Sequence, residues 1–298
     1  MNGTNLHTLH DAMPSLAKKM VLVRLKTTKR VRRTARDKNA EELLATTYGT
    51  DTRDWNVSKK LFQGSERYQR ANRSRYELEK FVKAKTSAWF DDGLRALPNA
   101  KYMTFTATVN PLKQEAVAAY DDFRQNYWAE VDADIQRRNA KARAAGKAET
   151  ASRDDYPDQP PDTEIRVIFQ PVPTRGDFRT EMTEEDTAEF DAMLADAENT
   201  IKTDIIKRAL APVSQLAERL TQYTGDKGQR WHAEVVNAAL DSCRDLESLN
   251  VDGDGEIADL LARTREALRV TAQPSIKDSQ STRDEARAKF DDILSKFA

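Results

Sequence analysis

Hydrophobic side chains recur at helical spacing along most of the chain, most clearly after Thr183. There the apolar positions follow one another at steps of three or four residues, which places them on one face of a helix. These positions are Phe190, Leu194, Ala197, Ile201 and Ile205. Thr183 and Asp186 predict a capping box at the start of this helix. Pro212 interrupts the pattern, so we expect a kink or a break there, with Pro212 in the first turn of a new helix.

Other segments predict the remaining elements. The helical repeat predicts helices over residues 38–47, 65–92, 111–135, 230–249 and 256–271, and a final short helix capped by Ser281 or Thr282. Apolar and polar residues alternate in three further segments, which predicts strands. These segments are Val21–Leu25, Tyr102–Val109 and Ile165–Phe169.

Together these elements predict a mostly α (α+β) fold. We expect a long helical hairpin or coiled-coil arm on a small antiparallel sheet, followed by a C-terminal helical bundle. The arm lies near residues 112–162, because the Arg-, Lys- and Ala-rich stretch 136–147 favours a solvent-exposed helix and a Pro- and Asp-rich connection follows it. The predicted organisation is a flexible arm over 1–17, a single mainly helical domain over 18–272, and a C-terminal helix over 273–298.

The charge is divided unevenly along the chain. The 298 residues carry 48 Lys and Arg against 49 Asp and Glu, but residues 1–85 carry 20 against 9 and the remainder 28 against 40. Such a chain can fold its basic part against acidic residues 184–198, or present that part to a polyanion. The candidate nucleic-acid contacts are Lys26, Lys29, Arg30, Arg32, Arg33 and Arg36. Protection of an edge strand by charge is the alternative interpretation of this basic run.

A second basic pattern lies on the predicted helix 65–92. Its arginines are interleaved with Tyr68 and Tyr76, which is compatible with nucleic-acid binding but more often typical of a solvated helix face with aromatic packing. The arginines are Arg67, Arg70, Arg73 and Arg75.

Patterns that would indicate catalysis or metal binding are incomplete. Residues 250–257 resemble the start of a calcium-binding loop, but Leu261 stands where the bidentate carboxylate belongs, so we favour a turn between two helices. His7, His10 and His232 do not form a zinc pattern with Cys243, the single cysteine. Neither a glycine-rich phosphate loop nor a nucleophile elbow is present. We therefore predict no catalytic residue, metal, cofactor or small-molecule substrate, and favour a protein that is not an enzyme.

The order of segments resembles an uncharacterised phage and bacterial family. The residues that carry the resemblance lie between about 20 and 270: the run Trp89 to Asn99, the helix through Phe123 and Tyr127, the strand at 165–169, the acidic helix, and Ala209-Leu210-Ala211-Pro212. Members of that family are known as a domain of unknown function, often encoded near MoxR/CobS-type AAA+ ATPases and von Willebrand factor A proteins. The resemblance implies a phage origin and a partner-binding role, and it supplies no active-site residues.

Two functional hypotheses follow. The first is a non-enzymatic, phage-type interaction or scaffold protein that binds a protein partner or a second copy of itself and assists an AAA+ ATPase. The alternative is a nucleic-acid-binding protein that uses its basic N-terminal third. The lack of a long apolar stretch and the single cysteine predict a cytoplasmic protein without a membrane anchor, in the host cytoplasm if it is phage-encoded.

Overall fold

The structure is a computed structural model that describes residues 15–27, 34–90, 93–160, 162, 164–174, 177, 182–223, 231 and 233–298. It confirms a mostly helical chain with a small antiparallel sheet and a C-terminal helical bundle. The elements are α1 Ser15–Lys19, β1 Met20–Thr27, β2 Thr34–Arg36, α2 Lys38–Tyr48, β3 Ser58–Lys60, α3 Glu66–Lys85, β4 Ser87–Ala88, β5 Leu94–Pro98, α4 Tyr102–Gln125, α5 Tyr127–Ala144, β6 Ile165–Pro171, α6 Glu184–Gln222, α7 Ala233–Leu249, α8 Gly255–Thr271 and α9 Gln280–Phe297.

The chain forms two compact units. Unit 1 comprises Met1–Arg24, Phe81–Thr106 and Ile168–Ala298, and unit 2 comprises Leu25–Lys80 and Ala107–Val167. The predicted flexible arm over 1–17 lies mostly outside the described residues and stays a prediction, whereas neither unit ends at the predicted boundary at 272. Helix α9, predicted as a separate C-terminal element, packs on α6 and α8 within unit 1, because its apolar residues Phe290 and Ile293 are part of the same core.

Unit 1 contains a bundle of α6, α7, α8 and α9. The predicted stripe of α6, from Phe190 to Ile205, is buried in this core. Helix α6 continues through Pro212, so a break with a new helix beginning there is wrong, and the alternative of a kink stays a prediction. Proline removes a backbone hydrogen bond from a helix. Here the apolar face continues across it, since Ala209, Val213 and Leu216 are all buried, and this packing maintains the helix.

A four-stranded sheet has the order β4-β5-β1-β6. Strands β1 and β5 are antiparallel, with Leu22 opposite Ala96, and both of these side chains belong to the core of unit 1. The predicted helix 65–92 is too long at its C-terminal end, because α3 ends at Lys85 and β4 follows. Strand β5 lies in a stretch that was not predicted to be a strand. Its residues Ala96, Leu97 and Pro98 are buried in succession, so this stretch lacks the apolar and polar alternation of a strand with one exposed face.

The strand predicted over Tyr102–Val109 is instead the first part of α4, and Pro111 lies inside this helix rather than at its start. The threonines of this segment fit a helix because their hydroxyl groups bond to carbonyls of the preceding turn, as Thr106 Oγ1 donates to the Tyr102 carbonyl at 2.9 Å. Phe105 and Val109, four residues apart, are buried. Helical burial of these two side chains outweighs the strand preference of the threonines.

Unit 2 contains α2, the antiparallel strand pair β2–β3, α5 and the adjoining parts of α3 and α4. The predicted helical hairpin near 112–162 is wrong in its second half. After α5 the described residues up to 164 contain a single 3-10 turn, Arg153–Asp155, and no further α-helix. This return segment is fixed to α5 by hydrogen bonds: Asn139 exchanges two with the backbone of Ala151, and the Tyr127 hydroxyl donates to the Pro157 carbonyl. Prolines and aspartates in the segment explain why it returns without a helix.

Candidate functional site

Two of the six predicted nucleic-acid contacts, Lys26 and Arg36, lie in the described part of the chain. Lys26 Nζ lies 2.9 Å from Glu164 Oε2, and Arg36 Nε lies 2.7 Å from Glu41 Oε2. The hydrogen bond from Lys26 holds the pKa of Glu164 below its usual value, because it stabilises the carboxylate. Lys29, Arg30, Arg32 and Arg33 lie outside the described residues. The assignment of all six residues to nucleic acid therefore stays a prediction.

The Arg36–Glu41 pair also organises the local fold. The Glu41 side chain is buried and accepts a second hydrogen bond from the Val57 backbone N–H at 3.1 Å. Asp37 caps α2 by accepting from Ala40 N, and its own N–H donates to the Val57 carbonyl. These contacts join α2 to the residues that precede β3. Arg36 is therefore a structural residue whose side chain is about half exposed.

Strand β3, which pairs with β2, carries basic residues that the sequence pattern did not indicate as nucleic-acid contacts. Thr34 lies opposite Lys60, and Ala35 lies opposite Lys59. Lys59 is occupied, since its Nζ lies 2.6 Å from Asp155. Lys60 is exposed and forms no ion pair within the described ranges. Strand pairing places it beside the predicted basic run, and no local sequence signal predicts that proximity.

The arginines of α3 divide into two groups. Arg67 bonds to Asp122 at 3.2 Å and to Glu130 at 2.9 Å, and Arg75 is buried with Glu79 3.6 Å away. Arg70 and Arg73 are exposed and have no ion-pair partner among the residues that the structure describes. Both border an open concave surface of about 720 Å³ that also includes Arg67. The predicted basic face is thus reduced to two unpaired guanidinium groups.

The two tyrosines of α3 also differ. Tyr68 is buried and packs against Phe62 and Phe123. Tyr76 is 59% exposed, and its ring makes no contact with another described aromatic ring. Tyr76 follows Arg73 by three residues and precedes Lys80 by four, so the three side chains share one face of the helix. This face of α3 therefore presents an exposed aromatic ring between two cations.

A buried carboxylate in unit 2 is the strongest candidate for chemistry, but its hydrogen-bonding capacity is fully used. Asp134 accepts from the Phe62 N–H at 2.9 Å, from the Tyr156 hydroxyl at 2.7 Å, and twice from Arg137. A carboxylate has about four acceptor sites. Burial alone raises the pKa of Asp134, but the bonds from Tyr156, Arg137 and Phe62 outweigh it and hold that pKa below its usual value. Asp134 is therefore a structural anchor whose ionised form is favoured by its hydrogen bonds.

The charged cluster of unit 1 is also structural. Arg208 donates to the carbonyls of Ala84 and Thr86 at 2.7 and 2.9 Å, and Arg95 donates to the Thr86 carbonyl at 2.8 Å. These carbonyls lie at the C-terminal end of α3, where cations are favoured by the helix dipole. Burial lowers the pKa of Arg95, and Asp204 opposes this effect. The cluster caps a helix and holds the start of β4, since Asp204 accepts from the Ala88 N–H.

The loop that resembles a calcium site is the turn between α7 and α8, as the sequence predicted. Asp254 caps α8 by accepting from Glu256 N and Ile257 N, and it also pairs with Lys202. Asp252 pairs with Lys19 at 2.8 Å. In the described ranges no group of three or more His, Cys, Asp or Glu side chains is placed to hold a metal ion, and His7, His10 and His232 lie outside those ranges.

Strand β6 lies at one edge of the sheet that the described residues form, because β1 is its only neighbour among their strands. Its central residue, Ile168, is 39% exposed. In unit 1, Phe169 packs against Tyr102 with ring centroids 5.0 Å apart, and the neighbouring Met103 is 75% exposed. The unpaired N–H and C=O groups of an edge strand can pair with another strand. Exposed apolar side chains around such an edge favour a protein contact.

The acidic start of α6 faces solvent. Its capping box is as predicted: Thr183 accepts from Asp186 N, and Asp186 accepts from Thr183 N. The acidic side chains that follow are exposed at Glu184, Glu185, Asp186, Glu189, Asp191 and Asp196. Lys29, Arg30, Arg32 and Arg33 of the basic run lie outside the described residues, so both arrangements that the charge division allowed stay predictions.

Comparisons with other proteins complete the description of these surfaces. Over the described residues, no helix is both long enough and apolar enough to cross a membrane. No protein family, curated protein or solved structure matched the chain. The resemblance to the phage family therefore stays a prediction.

Proposed function

We propose that this chain is a non-enzymatic interaction protein of a phage system that associates with a second copy of itself through β6. The role beside an AAA+ ATPase rests on the family resemblance alone and belongs to the same proposal, as does a location in the host cytoplasm. The observation that carries the proposal is the edge position of β6 with Ile168 exposed at its centre.

The sequence of β6 suits antiparallel pairing with itself. A twofold axis through Ile168 places Ile168 opposite its equivalent, Val167 opposite Phe169 and Arg166 opposite Gln170. Apolar side chains then face apolar ones, and no like charges oppose each other. A contact of this kind is isologous, which closes the assembly at a dimer.

Light scattering coupled to gel filtration over a concentration series tests this proposal. We expect a concentration-dependent dimer for the natural chain and a monomer for Ile168→Lys, because two lysines would then face each other. Leu43→Lys is the matched control, since Leu43 is exposed in unit 2 and should leave the dimer unchanged. A chain that remains monomeric at all concentrations, or a dimer that persists in Ile168→Lys, would contradict the proposal.

A second candidate function is nucleic-acid binding by the basic N-terminal third. It is favoured by three cations that have no ion-pair partner among the described residues, namely Lys60, Arg70 and Arg73. Phosphate contacts from such residues make the affinity fall steeply with salt concentration.

A further inference from the structure

We propose that Arg73, Tyr76 and Lys80 form a binding site for single-stranded nucleic acid on the exposed face of α3. In this site a base stacks on the Tyr76 ring, while the two cations bind the phosphates on either side. The inference rests on the second candidate function, nucleic-acid binding, and is independent of self-association through β6.

The spacing along the helix supports this arrangement. Arg73 and Lys80 are seven residues apart, which corresponds to about 10 Å along the helix axis. Tyr76 lies between them on the same face. Long cationic side chains therefore extend on both sides of the ring. They can contact the phosphates that precede and follow the stacked base in a single nucleic-acid strand. Single-strand sites of low sequence preference combine a cationic path for the backbone with aromatic platforms for the bases.

Burial of the opposite face of α3 holds the site outward. Tyr68, Ala71, Arg75 and Leu78 are all buried in unit 2. Their packing fixes the rotation of the helix about its axis. Tyr76 and its two cations consequently face solvent without any rearrangement of the unit.

The three site residues are available for a ligand. Neither Arg73 nor Lys80 has an ion-pair partner in the described part of the chain. Glu77, which directly follows Tyr76, is exposed beside them. The Tyr76 ring is likewise without an aromatic neighbour there. Arg67, by contrast, is held by two carboxylates and would contribute little.

The ligand is a single strand rather than a duplex because of the tyrosine. In a duplex the base faces are stacked on each other, and an exposed ring on a helix surface has no access to them. A duplex would meet only the two cations, whereas a single strand offers both a phosphate and an unstacked base.

Fluorescence anisotropy with the full chain tests the site, with labelled oligo-dT and a labelled duplex of equal length at two salt concentrations. We expect tighter binding of oligo-dT. Tyr76→Ala should weaken that binding about 5- to 150-fold, the usual range for one stacked base. Arg73→Gln and Lys80→Gln should each reduce the salt dependence by about 0.7 in a log–log plot. Glu77→Gln should strengthen binding, because it removes an anion beside the phosphates.

Two controls make the result specific. Tyr48→Ala removes another exposed ring of unit 2, and Arg53→Gln removes an exposed cation that is paired with Asp51; neither change should alter binding. If the natural chain binds neither oligonucleotide at low salt, nucleic-acid binding and this site both fail. If it binds but Tyr76→Ala equals Tyr48→Ala, or the duplex binds as tightly as oligo-dT, nucleic-acid binding stands and this site is overturned.

Discussion

The backbone N–H of Phe62 donates a hydrogen bond to Asp134 Oδ2 at a distance of 2.9 Å. Phe62 has a φ of 56°, in the left-handed region that a bulky side chain rarely adopts. Its ring is fully buried among Tyr68, Phe123 and Tyr156. The bond and the aromatic contacts together hold the unfavourable backbone conformation. Unit 2 therefore depends on a carboxylate of α5 for the shape of the loop that precedes α3.

Replacement of Asp134 by asparagine should destabilise the protein by about 2–4 kcal/mol. The substitution turns one oxygen into an NH₂ group that would face donors, and it leaves Arg137 without its counter-charge. Urea unfolding followed by circular dichroism measures this loss. Asp132→Asn is the matched control: Asp132 also lies on α5 and pairs with an arginine, Arg153, but its side chain is 45% exposed against 2% for Asp134. It should cost no more than about 1 kcal/mol. Equal effects of the two substitutions would refute this structural role of Asp134.

The same carboxylate should make stability depend on acid pH. The pKa of Asp134 is held below its usual value in the folded state, so the unfolded chain binds a proton first as the pH falls. The contribution of Asp134 is then fully present above about pH 4, where the unfolded carboxyl is ionised, and decreases as the pH falls below that value. Urea unfolding at several pH values between 7 and 3 should show the natural chain and Asp134→Asn converging toward the acid end. A constant difference between them would contradict the direction of this pKa change.

The left-handed conformation of Phe62 should reverse the usual order of stability between an alanine and a glycine substitution at this position. Both Phe62→Ala and Phe62→Gly remove the buried ring and should cost about 3–5 kcal/mol. Glycine is normally the more destabilising of the two by up to about 1 kcal/mol, but it adopts positive φ without strain. We therefore expect Phe62→Gly to be at least as stable as Phe62→Ala in urea unfolding. The usual order, with alanine clearly more stable, would show that the backbone at position 62 relaxes once the ring is removed.

The sequence predicted those elements whose apolar residues repeat over many turns. The stripe from Phe190 to Ile205 and its capping box are examples, because both signals are local. The strand predicted over Tyr102–Val109 was wrong. Its alternation of threonines and apolar residues also fits a helix in which Phe105 and Val109 are buried. The end of α3 could not be predicted, since it depends on Arg208, which is distant in sequence from the carbonyls that it caps.

Ion pairing in the candidate site could not be predicted from the sequence either. The basic residues of the N-terminal third are evident in the sequence, but which of them are paired is not. Lys26 meets Glu164, and Arg67 meets Asp122 and Glu130, through contacts between segments far apart in the chain. Only the folded unit distinguishes Tyr76, which is exposed, from Tyr68, which is buried eight residues earlier on the same helix.

Cys243 should be unreactive in the native protein. Its side chain is buried in the bundle of unit 1, and burial raises the pKa of the thiol, which lowers the fraction of reactive thiolate. Ellman's reagent at pH 8 should therefore label it slowly in buffer and fully in urea. Because it is the single cysteine, the labelling rate in intermediate urea reports the opening of the bundle. Rapid labelling in buffer would show that α7 leaves the core in the native state.

The turn between α7 and α8 should respond to substitution as a helix cap. Asp254→Ala removes the acceptor for two backbone N–H groups at the start of α8 and should cost about 1 kcal/mol. Asp252→Ala is the control in the same turn, since Asp252 makes an exposed pair with Lys19 and should cost less than about 0.5 kcal/mol. Thermal unfolding with and without millimolar calcium completes the test. We expect the same melting temperature in both, because Asp254 is directed at the backbone of α8, and the position of the bidentate ligand is occupied by the buried Leu261. A calcium-dependent rise that Asp254→Ala abolishes would instead establish these carboxylates as ligands.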